Sequence, residues 1–268
     1  MTKIPENLLG LDRIQGDRDY QEDNCAAFTT EHDGAPAVLL ALADGMGGHV
    51  AGDTASALAL QSAVRAFEDV TGTLEDRLRA SIESANEAVA QKIAQSTELD
   101  GMGTTLVLAV ISKAGLMWAS VGDSPLWLCA GGEIERVNAD HSMSSVFKDL
   151  VLAGRMTEEE ARTDKRRNAL RSAICGDEIP LMEVTQTPLV LLGNETVLLA
   201  SDGVETLSEN ALAELVEQSK GDMAGLVSQT LEHITDIAKP NQDNATLIAL
   251  NTALVFDADP ISEKGDHD

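Results

Sequence analysis

Aromatic side chains are scarce, with four Phe, two Trp and one Tyr in 268 residues. The core must therefore rest on Leu, Val, Ile, Ala and Met, and there is little for nucleobases to stack on. Cysteine is nearly as rare. Cys25, Cys129 and Cys175 are odd in number and form no CxxC pair, which excludes a disulfide framework or a structural zinc site. No apolar run approaches the ~20 residues that span a bilayer, and the first residues show no signal-peptide pattern, so a cytoplasmic setting is expected. A GxxxxGK nucleotide loop is also missing. Basic residues number 19 against 45 acidic ones, a formal charge of −26. Such a surface repels phosphate backbones and anionic headgroups, so neither nucleic acid nor membrane is an expected partner.

What is present reads as a folded domain. Neither an internal repeat nor a low-complexity linker divides the chain, so residues 1–256 are expected to form one domain and the acidic stretch 257–268 a frayed tail. Residues 1–12 carry no sustained period and read as a leader. A short strand is expected at Cys25–Thr29, a turn at 31–36, and a buried strand over the apolar run Ala37–Ala43. Apolar residues at three- and four-residue spacing from Ala55 to Phe67 and from Leu74 to Ile93 predict two helices, antiparallel across Thr71-Gly72-Thr73. Runs at 104–111, 116–121 and 126–130, separated by glycine-marked turns, read as a meander. A helix over about 142–153, a capping box at Thr157–Glu160, strands at 181–187 and 196–200, helices at 209–218 and 222–237, and a final strand at 245–250 complete the expectation. Strands at both ends with helices between them point to sheets closed by non-local pairing, not to a βαβ series.

The stretch Asp44-Gly45-Met46-Gly47-Gly48-His49 follows the longest apolar run. Strand, glycine turn and helix with one acid can cradle a phosphate or seat a metal. Other acids share its placement: Glu22-Asp23 before a strand, Asp123 in a Gly-Asp-Ser turn, Asp202 after Val197–Ala200, and Asp243 before the last strand. Each alone is an ordinary turn residue. Together they would converge if the strands share a sandwich edge, where they would raise one another's pKa unless cations sit among them. Oxygen-only ligands select magnesium or manganese over zinc or copper. A bridging carboxylate could hold two such ions ~3.5–4 Å apart, the arrangement that activates water for hydrolysis of a phosphate ester. Arg18, four residues before Glu22, could grip phosphate oxygens through its guanidinium; the plainer reading pairs it with Asp17 or Asp19. The basic island of Arg162, Lys165, Arg166, Arg167 and Arg171 is either a solvated face balancing local acids or a docking element for an anionic substrate.

Seven ordered motifs carry a resemblance. Arg18-Asp19-Tyr20-Gln21-Glu22-Asp23, Asp44 to His49, Gly103-Thr104-Thr105, Gly122-Asp123-Ser124, Asp140-His141-Ser142, Ser201-Asp202-Gly203 and Gln242-Asp243-Asn244 resemble those of the bacterial metal-dependent protein serine/threonine phosphatases (PPM, type 2C), over about residues 13–250. The resemblance implies an α+β fold, a four-layer αββα sandwich of two antiparallel β-sheets flanked by helix pairs. A binuclear manganese or magnesium site would lie at one sheet edge. Asp44 would bridge the metals and the Gly45 carbonyl would bind one; Asp202 and Asp243 would complete the other. Glu22 and Asp23 would act through water, Asp123 would serve a third metal, and Arg18 would bind the substrate phosphate. Residues from about 154 to 176, which hold Lys165, Arg166, Arg167 and Arg171, align with the family's substrate flap.

There are departures. Met46 stands where eukaryotic members carry a histidine proposed as general acid, and His49 does not inherit that role by proximity. Pro125 follows the Gly-Asp-Ser motif where arginine is frequent, and Gln21 replaces a common asparagine. The expected function is hydrolysis of phosphoserine and phosphothreonine in proteins by a water between the metals, in a monomer opposing a serine/threonine kinase. The alternatives are a phosphatase-fold module that binds a phosphorylated partner without turnover and a hydrolase of small phosphate esters.

Overall fold

The computed structural model describes residues 4–5, 7–47 and 50–256. Its strands are β1 (Leu9–Ile14), β2 (Asp23–His32), β3 (Ala35–Met46), β4 (Gly103–Thr104), β5 (Leu106–Ser112), β6 (Gly115–Val121), β7 (Leu126–Ala130), β8 (Glu133–Arg136), β9 (Glu183–Val184), β10 (Thr196–Ala200) and β11 (Ala245–Asn251). The helices are α1 (Val50–Asp69), α2 (Leu74–Ile93), α3 (Met143–Leu152), α4 (Glu158–Thr163), α5 (Glu209–Ser219), α6 (Met223–Ile237) and α7 (Ala253–Phe256).

One antiparallel sheet has the order β1-β11-β10-β7-β8; the other runs β2-β3-β5-β6-β9, with β4 paired to the end of β3. The strand alternation shows how they stack. Ala37, Leu39, Ala41 and Ala43 pack with Ala55, Phe67, Leu78 and Ile82 of α1 and α2, whereas Val38, Leu40 and Leu42 meet Val197, Leu199, Ile248 and Leu250 of the facing sheet. A third cluster joins Leu198, Leu247 and Ala249 to Leu212, Leu226 and Leu231 of α5 and α6. These three interfaces make the four-layer αββα sandwich. They also explain the unbroken run Ala37–Ala43: an antiparallel strand covered on both faces has no polar side.

Several expectations change. Residues 9–14 are not a leader but β1, paired in register from Leu9↔Leu250 to Ile14↔Ala245. The presumed meander is two structures. β5 and β6 form a hairpin in one sheet, while Gly122-Asp123-Ser124-Pro125 carries the chain to β7 in the other. Of 181–187 only Glu183–Val184 is strand. β3 does not stop at Asp44; Gly45 and Met46 continue it against Thr104 and Gly103. The capping box at Thr157 and Glu160 opens α4, and Thr73 with Asp76 forms a second one on α2. His49 and the stretch 257–268 lie outside the described residues.

Candidate active site

The site forms where the row of side chains facing the seam between the sheets turns from apolar to polar. On β3 the row Val38, Leu40, Leu42 continues to Asp44. On β2, Asp23 stands opposite Asp44 in register. The same alternation extended from β5, β7, β10 and β11 brings in Thr105, Ser124, Ser201 and Thr246. The layer is bonded throughout. The Ser201 and Thr246 hydroxyls donate to Asp23 Oδ2 at 2.8 and 2.6 Å, and Thr246 N–H donates to Ser201 Oγ at 2.9 Å. Asp44 N–H donates to Thr105 Oγ1 at 3.0 Å, and Thr105 Oγ1 lies 2.7 Å from Ser124 Oγ. The Asp44 carbonyl accepts from Thr104 Oγ1 and Thr105 N–H, both at 2.9 Å. The Asp44 backbone is thus fixed before any ligand arrives.

Close backbone approach brings in the remaining acids. A Cβ on Gly45 would lie 2.3 Å from the Gly52 carbonyl oxygen and 2.6 Å from that of Glu22, and one on Gly203 would lie 1.9 Å from the Asn244 carbonyl oxygen. Only glycine lets Asp202 and Asp243 share this edge. Asn244 ties the last strand to the first loop: its side chain accepts from Glu22 N–H at 2.8 Å and donates to the carbonyls of Gln15 and Tyr20 at 2.7 and 3.0 Å.

Arg18, Glu22, Asp44, Gly45, Asp123, Asp202 and Asp243 line one recess of about 290 Å³, with Asp23 buried behind it. Their electrostatics are those of crowded carboxylates. Burial, followed by the charges of Asp23 and Asp202, raises Asp44 well above the usual range. Burial, then Asp123 and Asp243, pushes Asp202 up to about 8. Asp123 rises to about 6 through burial and Asp140. Glu22 and Asp23 are raised, chiefly by burial, and Glu22 Oε1 and Asp23 Oδ1 are buried with no hydrogen-bond partner.

Arg18 pairs with neither Asp17 nor Asp19; its Nη2 donates to Asp243 Oδ2 at 2.5 Å. The basic island divides. Arg162 pairs with Glu159, and Arg166 pairs with Asp164 while its guanidinium lies 5.5 Å from the Phe147 ring centre. Lys165 and Arg171 do not line the recesses at the acids, whereas Arg167 does, beside Asn168. The end of the stretch 154–176 is tied to β4 by paired backbone bonds between Thr104 and Ile174 at 3.0 and 2.9 Å.

Sequence reasoning missed two cations. Arg13 donates from Nη1 to the Asp23 carbonyl. Arg136 donates from Nη2 to the Asp123 carbonyl at 2.7 Å and lies 3.8 Å from Glu205. Neither adjoins a glycine motif, and no sequence signal separates them from ordinary strand arginines.

Among the described residues no three acidic, histidine or cysteine side chains are already gathered at metal-ligand spacing. Asp243 is instead turned to Arg18. The donor set still fits hard divalent ions. All donors are oxygen, two buried carboxylate oxygens lack partners, and repulsion among the acids is what dications would relieve.

Residues 7–146 match the family model described as Protein phosphatase 2C. The serine/threonine phosphatase stp of Listeria monocytogenes is 32% identical over 248 residues, covering 88% of this chain and 92% of that protein. A crystal structure of the Mycobacterium tuberculosis serine/threonine phosphatase PstP/Ppp aligns with a TM-score of 0.74 at 29% identity, over 91% of this chain and 97% of that one. The catalytic domain of PstP in complex with two manganese ions gives 0.69 at 27% identity, over 91% and 96%.

Proposed function

The chain belongs to the protein phosphatase 2C family and is a metal-dependent protein serine/threonine phosphatase; on that premise we propose that the acidic recess is its active site. The convergence of Glu22, Asp44, Asp123, Asp202 and Asp243 on one recess carries the reading. Asp44, the Gly45 carbonyl, Asp202 and Asp243 would hold two manganese or magnesium ions. Glu22 and Asp23 would act through water, and Asp123 would serve a third ion. When bound, such ions supply Lewis acidity that lowers the pKa of water and offsets phosphoryl charge.

The chain's own groups do the rest. Thr104, Thr105 and Ser124 hold the Asp44 backbone still. Arg18 stands at the recess with a guanidinium that can chelate two phosphate oxygens once it leaves Asp243. Met46 lines the same wall and has no proton to give, so it is no general acid. The substrates are phosphoproteins. We further assign it to dephosphorylation of serine/threonine kinase targets in signalling, as a cytoplasmic monomer with residues 1–256 as one domain. Three cysteines without disulfides suit a reducing compartment.

The test is manganese-dependent hydrolysis of a small aryl phosphate by the wild type and Asp44→Asn. The variant should lose on the order of 10²–10³-fold in kcat, the scale of one removed transition-state stabiliser. A wild type inactive with manganese and magnesium would favour the binding module and overturn the proposal.

A further inference from the structure

A second polar recess of about 370 Å³ adjoins the acids, sharing Arg18, Asp123, Asp202 and Asp243 with the first. Four cations stand on its wall in a chain of net charge −26. Two are committed to protein groups. Arg18 is paired with Asp243, and Arg136 serves the Asp123 carbonyl, Asn138 Oδ1 at 3.2 Å and Glu205.

The other two, Arg167 from the flap after α4 and Lys239 from the turn between α6 and β11, form no ion pair within 4.0 Å among the described residues. Lys239 Nζ donates to Thr206 Oγ1 at 3.2 Å, and that hydroxyl donates to Gln242 Oε1 at 2.7 Å, which holds the ammonium on the recess wall. Asp123, Asp140, Asp202, Glu205 and Asp243 share the wall; Glu205 pairs with Arg136 at 3.8 Å and also feels the charge of Arg167. A guanidinium and an ammonium from separate elements, neither held in a direct ion pair and both facing one cavity beside a phosphate-handling site, match the chemistry of a second anion.

We propose that this recess is a second-anion subsite in which Arg167 and Lys239 clamp an acidic side chain, a carboxylate or a second phosphate, close in sequence to the phosphorylated residue, so that the enzyme selects locally acidic phosphopeptides. The inference rests on the phosphatase reading above. It concerns the few residues next to the phosphate, since the rest of the surface repels acidic chains.

The experiment uses a panel built on one phosphothreonine peptide, with Ala, Glu or phosphoserine placed singly at the three positions on either side. The readout is the ratio of kcat/KM for each acidic peptide to its Ala parent. At one or more positions the ratio should reach about tenfold, the scale of one charge-assisted pair, and should arise in KM. Arg167→Glu and Lys239→Glu should each bring it towards one, whereas Arg167→Lys and Lys239→Arg should retain most of it and report an intact fold. The Glu and phosphoserine arms show which anion the site prefers. A wild type that cleaves the aryl phosphate but shows no acid preference, or a preference that survives both reversals, overturns the subsite alone. A wild type that cleaves neither peptide nor aryl phosphate overturns the phosphatase reading as well.

Discussion

Asp202 shows how one residue couples protonation to stability. Its carboxyl is pushed from 3.8 up to about 8, first by burial and then by Asp123 and Asp243. In the unfolded chain it ionises near 3.8, so between these values the folded state holds a proton that the unfolded state has released. Stability from this group is therefore full below about pH 4 and falls as pH rises to about 8. Asp202→Asn should flatten that fall. At pH 8 without divalent metal it should melt above the wild type, by roughly 1–3 kcal/mol after allowance for screening in an open cleft. Chemical denaturation at pH 5 and pH 8 in a chelator would show this, and equal slopes in the two proteins would contradict it. The variant should lose activity, so the change that helps the fold harms the site. Asp123, at about 6, adds a smaller fall of the same sign over a lower range.

At the scale of elements, the site depends on where strands end relative to one another. Gly203 lies against the start of β11 so closely that a Cβ would overlap the Asn244 carbonyl. Gly203→Ala should force Asp202 and Asp243 apart and cost ~3 kcal/mol or more, since backbone offers no flexible atom to move aside. Urea melts would read the loss, and a melt unchanged within error would show that the contact relaxes freely. The sequence made the long elements legible because their periods were strong: α1, α2 and β11 lie close to where apolar spacing put them. β1 was hidden because Asp12 and Arg13 interrupt its pattern while it pairs at a sheet edge. The crossing at Gly122–Pro125 has the sequence signature of a hairpin turn, because glycine and proline mark a reversal without saying which sheet receives the next strand. The acids of the recess are readable as recurrent acids next to strands. Thr105, Ser124 and Ser201 stand inside the quoted motifs and Thr246 in none, but no role for any of the four is legible, since only the facing sheet gives them a carboxylate or one another to bond.

At the scale of the whole molecule, a chain of formal charge −26 carries the recess proposed to collect cations. The diffuse field should raise the apparent affinity for manganese at low ionic strength and lose that advantage as the Debye length shrinks from ~30 Å at 0.01 M to ~3 Å at 1 M salt. Calorimetric titration with manganese across that range should show a several-fold weakening; an affinity independent of salt would confine the attraction to the direct ligands. β11 has one further consequence. It lies between β1 and β10 and is the last of the described strands, yet Asp243, Asn244 and Thr246 at its start are partners to Arg18, Glu22 and Asp23 near the other end. While the chain is still emerging from the ribosome, Asp44 and Asp202 can be in place without a working centre between them. On the proposed site, catalytic competence would wait for β11 to join its sheet, and an incompletely synthesised chain would have no means of stripping phosphate from its neighbours.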